Sequence, residues 1–305
     1  MKKYDLIIIG AGPAGLTAGI YASRYRLSYI VIGALPGGTI NDAHQVGNFP
    51  TEKSIDGRKL AAKIFDNFKN LGGEFLTDEV IVIKKGRVGF AVATSAGKKI
   101  NGRTLILATG NQRRKLNLFN EDKFLGRGLS YCAACDGMFY RDKTVAVVGG
   151  SDAANTASLH LANIAKMVYQ IYRGEKLRGE PAWVENVLSN KKITVIYETN
   201  IVKMEGQNKL EKIILDKSYK NKNELIIDGL FVEIGSTPNA DLAKKIGAAV
   251  DNNGYIRVNE KQRTSVDGVW AAGDATTGSN KFQQVVTACA EGAVAVADIF
   301  HFLRV

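Results

Sequence analysis

Apolar residues in this chain come in short runs, and several of the runs end in a glycine-rich turn. The first is Leu6-Ile7-Ile8-Ile9, followed by Gly10-Ala11-Gly12-Pro13-Ala14-Gly15 and by helical spacing over residues 16–23. Residues 29–32 make a second apolar run, and Thr104-Leu105-Ile106-Leu107 leads into Ala108-Thr109-Gly110. The same layout then recurs. Thr144-Val145-Ala146-Val147-Val148 precedes Gly149-Gly150-Ser151-Asp152-Ala153-Ala154, a helical stretch runs to about residue 165, and residues 167–171 form another strand. This repeat closes at Leu230-Phe231-Val232-Glu233-Ile234-Gly235. After it come Gly268-Val269-Trp270-Ala271-Ala272-Gly273-Asp274 and a helical stretch over residues 283–302. Unbroken apolar strands alternating with helices predict parallel sheets covered by helices.

The pattern is therefore α/β, with two Rossmann-like domains, the second inserted into the first. The expected divisions are 1–112 with 242–305 for the first domain and 113–241 for the second, joined near residues 111–114 and 237–241. With 305 residues, 45% of them apolar, there is chain enough for two cores without disulfide staples. Lys2 and Lys3 before an apolar stretch resemble a secretory leader, but Asp5 and the glycines interrupt it, and a strand plus turn explains the run better. Apart from that stretch, no run is read as long enough to cross a bilayer, so no membrane association is expected. The net charge is +11, yet Lys and Arg are interspersed with Asp and Glu and form no stripe with aromatics. That argues against nucleic acid and leaves a solvated basic surface, or steering toward an acidic protein.

The first turn has the context a dinucleotide fingerprint needs, with a strand before it and a helix after it. Gly10 permits the tight bend, Gly12 lets backbone approach a pyrophosphate, Gly15 allows close helix packing, and the helix N-terminus faces the phosphates. The ribose-binding acid usual some twenty residues on is missing; Ile32-Gly33-Ala34 stands there. Three cysteines are present: Cys132 and Cys135 in a C-x-x-C, and Cys289 in the apolar stretch Val285-Val286-Thr287-Ala288-Cys289-Ala290. The pair suits a reversible disulfide at a helix start, where the thiolate is stabilised. Half a zinc site is the rival reading, but His44, His160 and His301 are scattered, so no metal is expected. Cys289 reads as a small buried hydrophobe. This cysteine usage suggests a reducing cytoplasm.

The chain resembles the low-molecular-weight thioredoxin reductases, FAD-dependent members of the pyridine nucleotide-disulfide oxidoreductases. The resemblance is carried, in order, by residues 10–15, Gly37-Gly38, Asn48 with Pro50, Ala108-Thr109-Gly110, Gly126-Arg127-Gly128, Cys132-Ala133-Ala134-Cys135-Asp136-Gly137, and the segment from Thr264-Ser265 to Asp274. It implies an FAD site made by Gly10, Gly12, Pro13, Ala14, Gly15, Gly37, Gly38, Thr39 (where the family usually has Gln), Asn48, Ala108, Thr109, Gly110, Gly273, Asp274, Gln283, Gln284 and Val285. Asp274 would accept a bond from the ribitol chain. The resemblance makes Cys135 the flavin-proximal thiol, Cys132 the interchange thiol and Asp136 the acid beside Cys135, although an Asp there also suits a helix N-terminus. It further implies thioredoxin or a thioredoxin-like protein as partner, a homodimer, and rotation of the inserted domain between two positions. The high-molecular-weight disulfide reductases are excluded, since their C-x4-C pair and C-terminal dimerisation domain with its His have no counterpart.

The electron donor is less plainly written. Gly149, Gly150, Ser151, Asp152 and Ala153 would bind the pyrophosphate of a nicotinamide dinucleotide, with Ser151 in place of the family's Gly. Tyr172-Arg173-Gly174 and Arg178 stand where the family carries His-Arg-Arg and a further Arg for the 2′-phosphate. Two of three arginines remain and no NAD-selecting acid is present, which favours NADPH over NADH. The alternative is a relative that uses no nicotinamide, either a ferredoxin-linked thioredoxin reductase or a flavin-dependent dithiol oxidase. A redox sensor without turnover is a third reading.

Overall fold

The computed structural model describes residues 3–304. The chain divides into two compact units, one of Met1–Asn41, Val46–Gln112 and Thr237–Val305, the other of Asp42–Gln45 and Arg113–Ser236. Where the chain passes between them, Asn111–Arg113 and Ser236–Pro238 pair as a two-stranded sheet.

The first unit is built on parallel strands in the order Phe75–Thr77, Tyr29–Gly33, Lys3–Ile9, Lys99–Leu107, with Val269–Ala271 beside the last. Lys99–Leu107 is long enough to serve two neighbours. Its C-terminal half pairs in parallel with Val269–Ala271, and its N-terminal half pairs antiparallel with Phe90–Thr94, which continues to Val80–Lys85. The strand Lys3–Ile9 shows why its second half, Leu6-Ile7-Ile8-Ile9, is apolar without a break. Side chains alternate across a sheet, and both faces are covered. Ile7 and Ile9 enter a core with Leu105, Leu107, Ala243 and Ile256. Leu6 and Ile8 enter the other, with Ile106 of the neighbouring strand and Leu16, Ala295 and Ile299 from the covering helices.

Those helices are Pro13–Arg24, which starts three residues earlier than the pattern suggests because Pro13 is well placed at a first helical position, and Val285–Phe302. By length and composition the latter could span a bilayer, which the sequence reading did not note. One face of it is buried, with Ala288, Ala295, Val296 and Ile299, while Val286 and Val294 are exposed. It packs on Pro13–Arg24, and a Cβ at Gly292 would sit 2.2 Å from the Ala14 carbonyl oxygen.

The second unit has five parallel strands in the order Ile193–Ile196, Met167–Ile171, Thr144–Val148, Gly229–Val232, Leu129–Ser130. Val145, Val147 and Phe231 face the helix Asp152–Ala162, burying against Ala154, Ala157 and Leu161. Ala146, Val148 and Leu230 face the other way, toward Ile213, Leu215 and Leu225 of a three-stranded antiparallel sheet, Ile201–Glu205, Lys212–Tyr219 and Lys222–Ile226. The sequence reading missed this sheet, whose strands alternate too irregularly to announce themselves.

Candidate active site and cofactor sites

The edge strand Leu129–Ser130 delivers Cys132 to the N-cap of a single helical turn, Ala133–Asp136, and Cys132 and Cys135 are joined as a disulfide with their Cα atoms 5.3 Å apart. The expected helical stretch is thus one turn, continued by a 3-10 turn over Gly137–Tyr140. So short a helix brings little dipole, and the local polarisation comes from one donor: the Cys135 N–H points at Cys132 Sγ, 3.1 Å away. Ser130 fixes the acid. Its hydroxyl donates to Asp136 Oδ2 at 2.6 Å and accepts from the Cys132 N–H at 3.0 Å. Cys135 is exposed and Cys132 half-buried. Met138 and Phe139, three and four residues after Cys135, are 56% and 73% exposed.

Asp42 also lies at the pair. Its Oδ1 is 3.7 Å from Cys132 Sγ, and its Oδ2 accepts from Arg113 at 2.9 Å. Arg113 reaches on to Glu233 at 3.1 Å. Burial pushes the Glu233 carboxyl up to about 7, against the opposing pull of Arg113. Nothing in the sequence announces this set, since Asp42 and Cys132 are ninety residues apart.

In the first unit the glycine turn has the shape the motif demands. Gly10 takes φ +113°, and a Cβ there would fall 2.0 Å from the Ala108 carbonyl oxygen; one on Gly15 would fall 1.9 Å from the Gly10 oxygen. Gly12 is different: its φ is an ordinary −74° and a Cβ would meet nothing within 4 Å. Gly12 therefore bounds open space at an uncapped helix N-terminus, with Pro13 and Ala14 following. Gly37 and Gly38, both at positive φ, bring the chain back to this turn: the Gly37 N–H donates to the Ala11 carbonyl at 2.7 Å, and Gly38 comes against Gly12. Thr39 follows in a 3-10 turn.

Residues far apart in sequence meet nearby. Asn48 Nδ2 donates to Gln284 Oε1 at 2.9 Å. Gln284 caps the helix that begins at Val285, and Gln283 Nε2 donates to the Asp274 carbonyl at 3.1 Å. Thr109 Oγ1 donates to the Asn239 carbonyl at 2.6 Å, between buried Ala108 and Gly110 at φ +61°.

Asp274 follows Gly273, which is at φ +83°. Burial, with the Glu291 charge adding to it, holds the Asp274 carboxyl at about 6, and among the described residues nothing donates to it. Glu291 accepts from the Gly273 N–H at 2.7 Å and the Thr276 hydroxyl at 3.2 Å and so fixes the turn. An acid in an apolar helical stretch was the available signal for Glu291, and the sequence reading passed over it. An open glycine at a helix N-terminus and an unpartnered, half-buried carboxylate suit a pyrophosphate and a polyol, so these residues fit FAD.

The second turn is made from the same parts with a different filling. Gly149 takes φ +143°, and a Cβ there would fall 2.1 Å from the Glu233 carbonyl oxygen. Gly150 and Gly174 are both held against the ring of Tyr172, where a Cβ would fall 2.5 and 2.7 Å from ring carbons. The Arg178 N–H donates to the Gly150 carbonyl at 2.6 Å, and its guanidinium lies 5.9 Å from the centre of the Tyr172 ring. Ser151 stands at the helix N-cap without a side-chain bond, Asp152 Oδ1 accepts from the Glu180 N–H at 2.7 Å, and Ala153 follows. Beneath, Gln170 Nε2 donates to Asn155 Oδ1 at 2.9 Å and Asn155 Nδ2 to the Arg178 carbonyl at 3.2 Å. Arg173 and Arg178 are exposed, and among the described residues neither has an acidic partner. The cationic residues fit a phosphate, while the turn offers it less open backbone than Gly12 does.

Two such turns and a redox-active pair define a class, and the comparisons place the chain within it. Residues 4–292 match the pyridine nucleotide-disulphide oxidoreductase family, and the chain belongs to that family. Among its relatives, the thioredoxin reductase of Treponema pallidum is 38% identical, with 96% of this chain and 94% of that one covered. The thioredoxin reductase of Bacillus subtilis is 33% identical, with 99% and 96% covered. The crystal structure of the thioredoxin reductase of T. acidophilum superposes with a TM-score of 0.93 at 30% identity over the whole of both chains.

Proposed function

We propose that this protein is a thioredoxin reductase. It reduces the disulfide of thioredoxin or a thioredoxin-like protein with its Cys132/Cys135 pair, and NADPH and FAD supply the electrons. The observation that carries the reading is the Cys132–Cys135 disulfide with Cys135 exposed, and with Met138 and Phe139 close after it in the chain as an apolar surface for a protein rather than a small disulfide. FAD, when bound, supplies the electron pair that opens the disulfide. Asp274, Asn48, Gln284 and the Gly12 turn would hold it, and Arg173 and Arg178 would hold the 2′-phosphate of the nicotinamide dinucleotide. Cys132 attacks the partner disulfide and Cys135 resolves the mixed disulfide. Asp136, oriented by Ser130, takes up the Cys135 proton. The reading extends to a cytoplasmic homodimer, and light scattering of the purified protein checks the dimer.

The test is anaerobic mixing of the yellow protein with NADPH, and separately with NADH, while the flavin absorbance is followed, and then turnover with oxidised thioredoxin. Rapid bleaching by NADPH and reduction of thioredoxin are expected. Bleaching by NADH alone would remove Arg173 and Arg178 as phosphate readers. Ser151 and the ring of Tyr172 favour a second reading, a donor other than nicotinamide. Under that reading neither dinucleotide bleaches the flavin, dithionite does, and reduced ferredoxin sustains turnover.

A further inference from the structure

The acid adjacent to Cys135 in the chain, Asp136, has one oxygen held by Ser130. The carboxylate that faces Cys132 belongs to Asp42. Arg113 occupies its Oδ2, which leaves Oδ1 directed at the sulfur at 3.7 Å, within thiol hydrogen-bond distance. In the disulfide that sulfur bears no proton and the contact offers no bond. Once the pair is reduced, the Cys132 thiol has an acceptor already in place. Arg113 cannot drift from Asp42 freely, because its other nitrogen is tied to Glu233, whose side chain is only 11% exposed.

We propose that Asp42 is a second catalytic carboxylate of the pair, taking the Cys132 thiol proton as that sulfur attacks a disulfide, and that Arg113, tethered by Glu233, is its positioning residue. The inference rests on reading the pair as a disulfide-exchange centre. In the first step the Cys132 S–H proton passes to Asp42 Oδ1, a bond forms between Cys132 sulfur and one partner sulfur, and the partner disulfide breaks. The other partner sulfur leaves as a thiolate and receives that proton, which restores the Asp42 carboxylate. In the second step the Cys135 thiol, giving up its proton, attacks the Cys132 sulfur of the mixed disulfide, and the remaining partner sulfur leaves and is protonated. Two electrons and two protons have moved from enzyme dithiol to partner disulfide. Besides Cys132, the charged or titratable groups around Asp42 among the described residues include Cys135, Arg113 and Glu233, with His44, two residues on, packed at a tilt against His160 at 3.7 Å between ring centres.

The test uses the FAD-loaded protein, reduced with dithiothreitol and freed of it anaerobically. It is mixed with oxidised thioredoxin and, in parallel, with hydroxyethyl disulfide, and thiol loss is followed by rapid quench between pH 6 and 9.5. Asp42→Asn is isosteric at a partly exposed position and preserves the fold. It is expected to slow the reaction by about 10–100-fold near pH 7, with the deficit shrinking to about twofold above pH 9, where the thiol ionises unaided. Asp42→Glu restores the rate, and Arg113→Met loses part of it. A wild-type rate for Asp42→Asn at pH 7, or a deficit of the same size at every pH, overturns the proposal. If the wild-type dithiol reacts with hydroxyethyl disulfide but not with thioredoxin, the partner assignment has failed, and the role of Asp42 is still read from the small disulfide.

Discussion

At residue 12 the first nucleotide turn presents bare backbone to open space; at residue 151, the same place in the second turn, stands a serine. One position earlier the sizes are exchanged. Ala11 meets Gly33 at the end of the second strand of its unit, where a Cβ would come within 2.7 Å of Ala11 Cβ. Gly150 instead meets Tyr172 at the end of the corresponding strand. Each turn therefore packs one small and one larger residue between the glycine loop and the neighbouring strand, in opposite order. The lesson is that a glycine in such a loop has more than one physical cause. Gly10 and Gly149 are required by backbone conformation and a carbonyl neighbour and Gly150 by an aromatic ring, whereas Gly12 meets no described neighbour, which agrees with the flavin site proposed there.

That sorting is broken most forcefully at the entrances of the two turns. Gly10→Ala and Gly149→Ala each combine positive φ with a clash against backbone oxygen, and each is expected to cost on the order of 3–5 kcal/mol in urea unfolding. A loss below about 1 kcal/mol at either would mean that the loop rearranges and that the comparison is mistaken. Gly12→Ala is the contrasting case. Apoprotein stability should stay within about 0.5 kcal/mol, since φ is ordinary and no atom is near, while flavin affinity falls about 100-fold in a fluorescence titration. Unchanged flavin affinity would remove Gly12 from the site.

The second turn predicts a smaller effect. Arg178→Ala should raise KM for NADPH about tenfold and leave that for NADH within about twofold, because only the 2′-phosphate loses a partner. Equal rises for both would assign the loss to the packing of Arg178 on Tyr172 instead.

The α/β class was legible because both parallel sheets are buried on two faces, which makes Leu6-Ile7-Ile8-Ile9 and Val145-Ala146-Val147-Val148 apolar without a break. The cysteine pair was legible because its spacing is local. What lay beyond reading were contacts between residues distant in the chain: Asn48 with Gln284, Asp42 with Cys132, and Tyr172 filling the space above Gly150. Each depends on a loop whose path no periodicity sets. The three-stranded sheet was missed for a related reason. It is covered on one side only, and Val202 and Ile226 are exposed, so the alternation of apolar and polar residues is blurred.

The finest test returns to the open turn and its carboxylate. Asp274 titrates near 6 when folded and near 3.8 when unfolded, because burial and Glu291 disfavour its charge. Between those values the folded apoprotein binds more protons than the unfolded chain, so its stability is favoured below about pH 4 and declines as pH rises through about 6. Asp274→Asn carries no such charge. At pH 8 the variant apoprotein should be more stable than wild type by about 1–2 kcal/mol, an advantage that vanishes near pH 4. The same variant should bind flavin more weakly, since a ligand hydroxyl bonds a carboxylate more strongly than an amide. Opposite signs for stability and flavin affinity mark a carboxylate kept for its ligand at the expense of the fold. If both fall together, Asp274 belongs to the scaffold of the turn, as Gly10 does, and the first turn is less open than its glycine suggests.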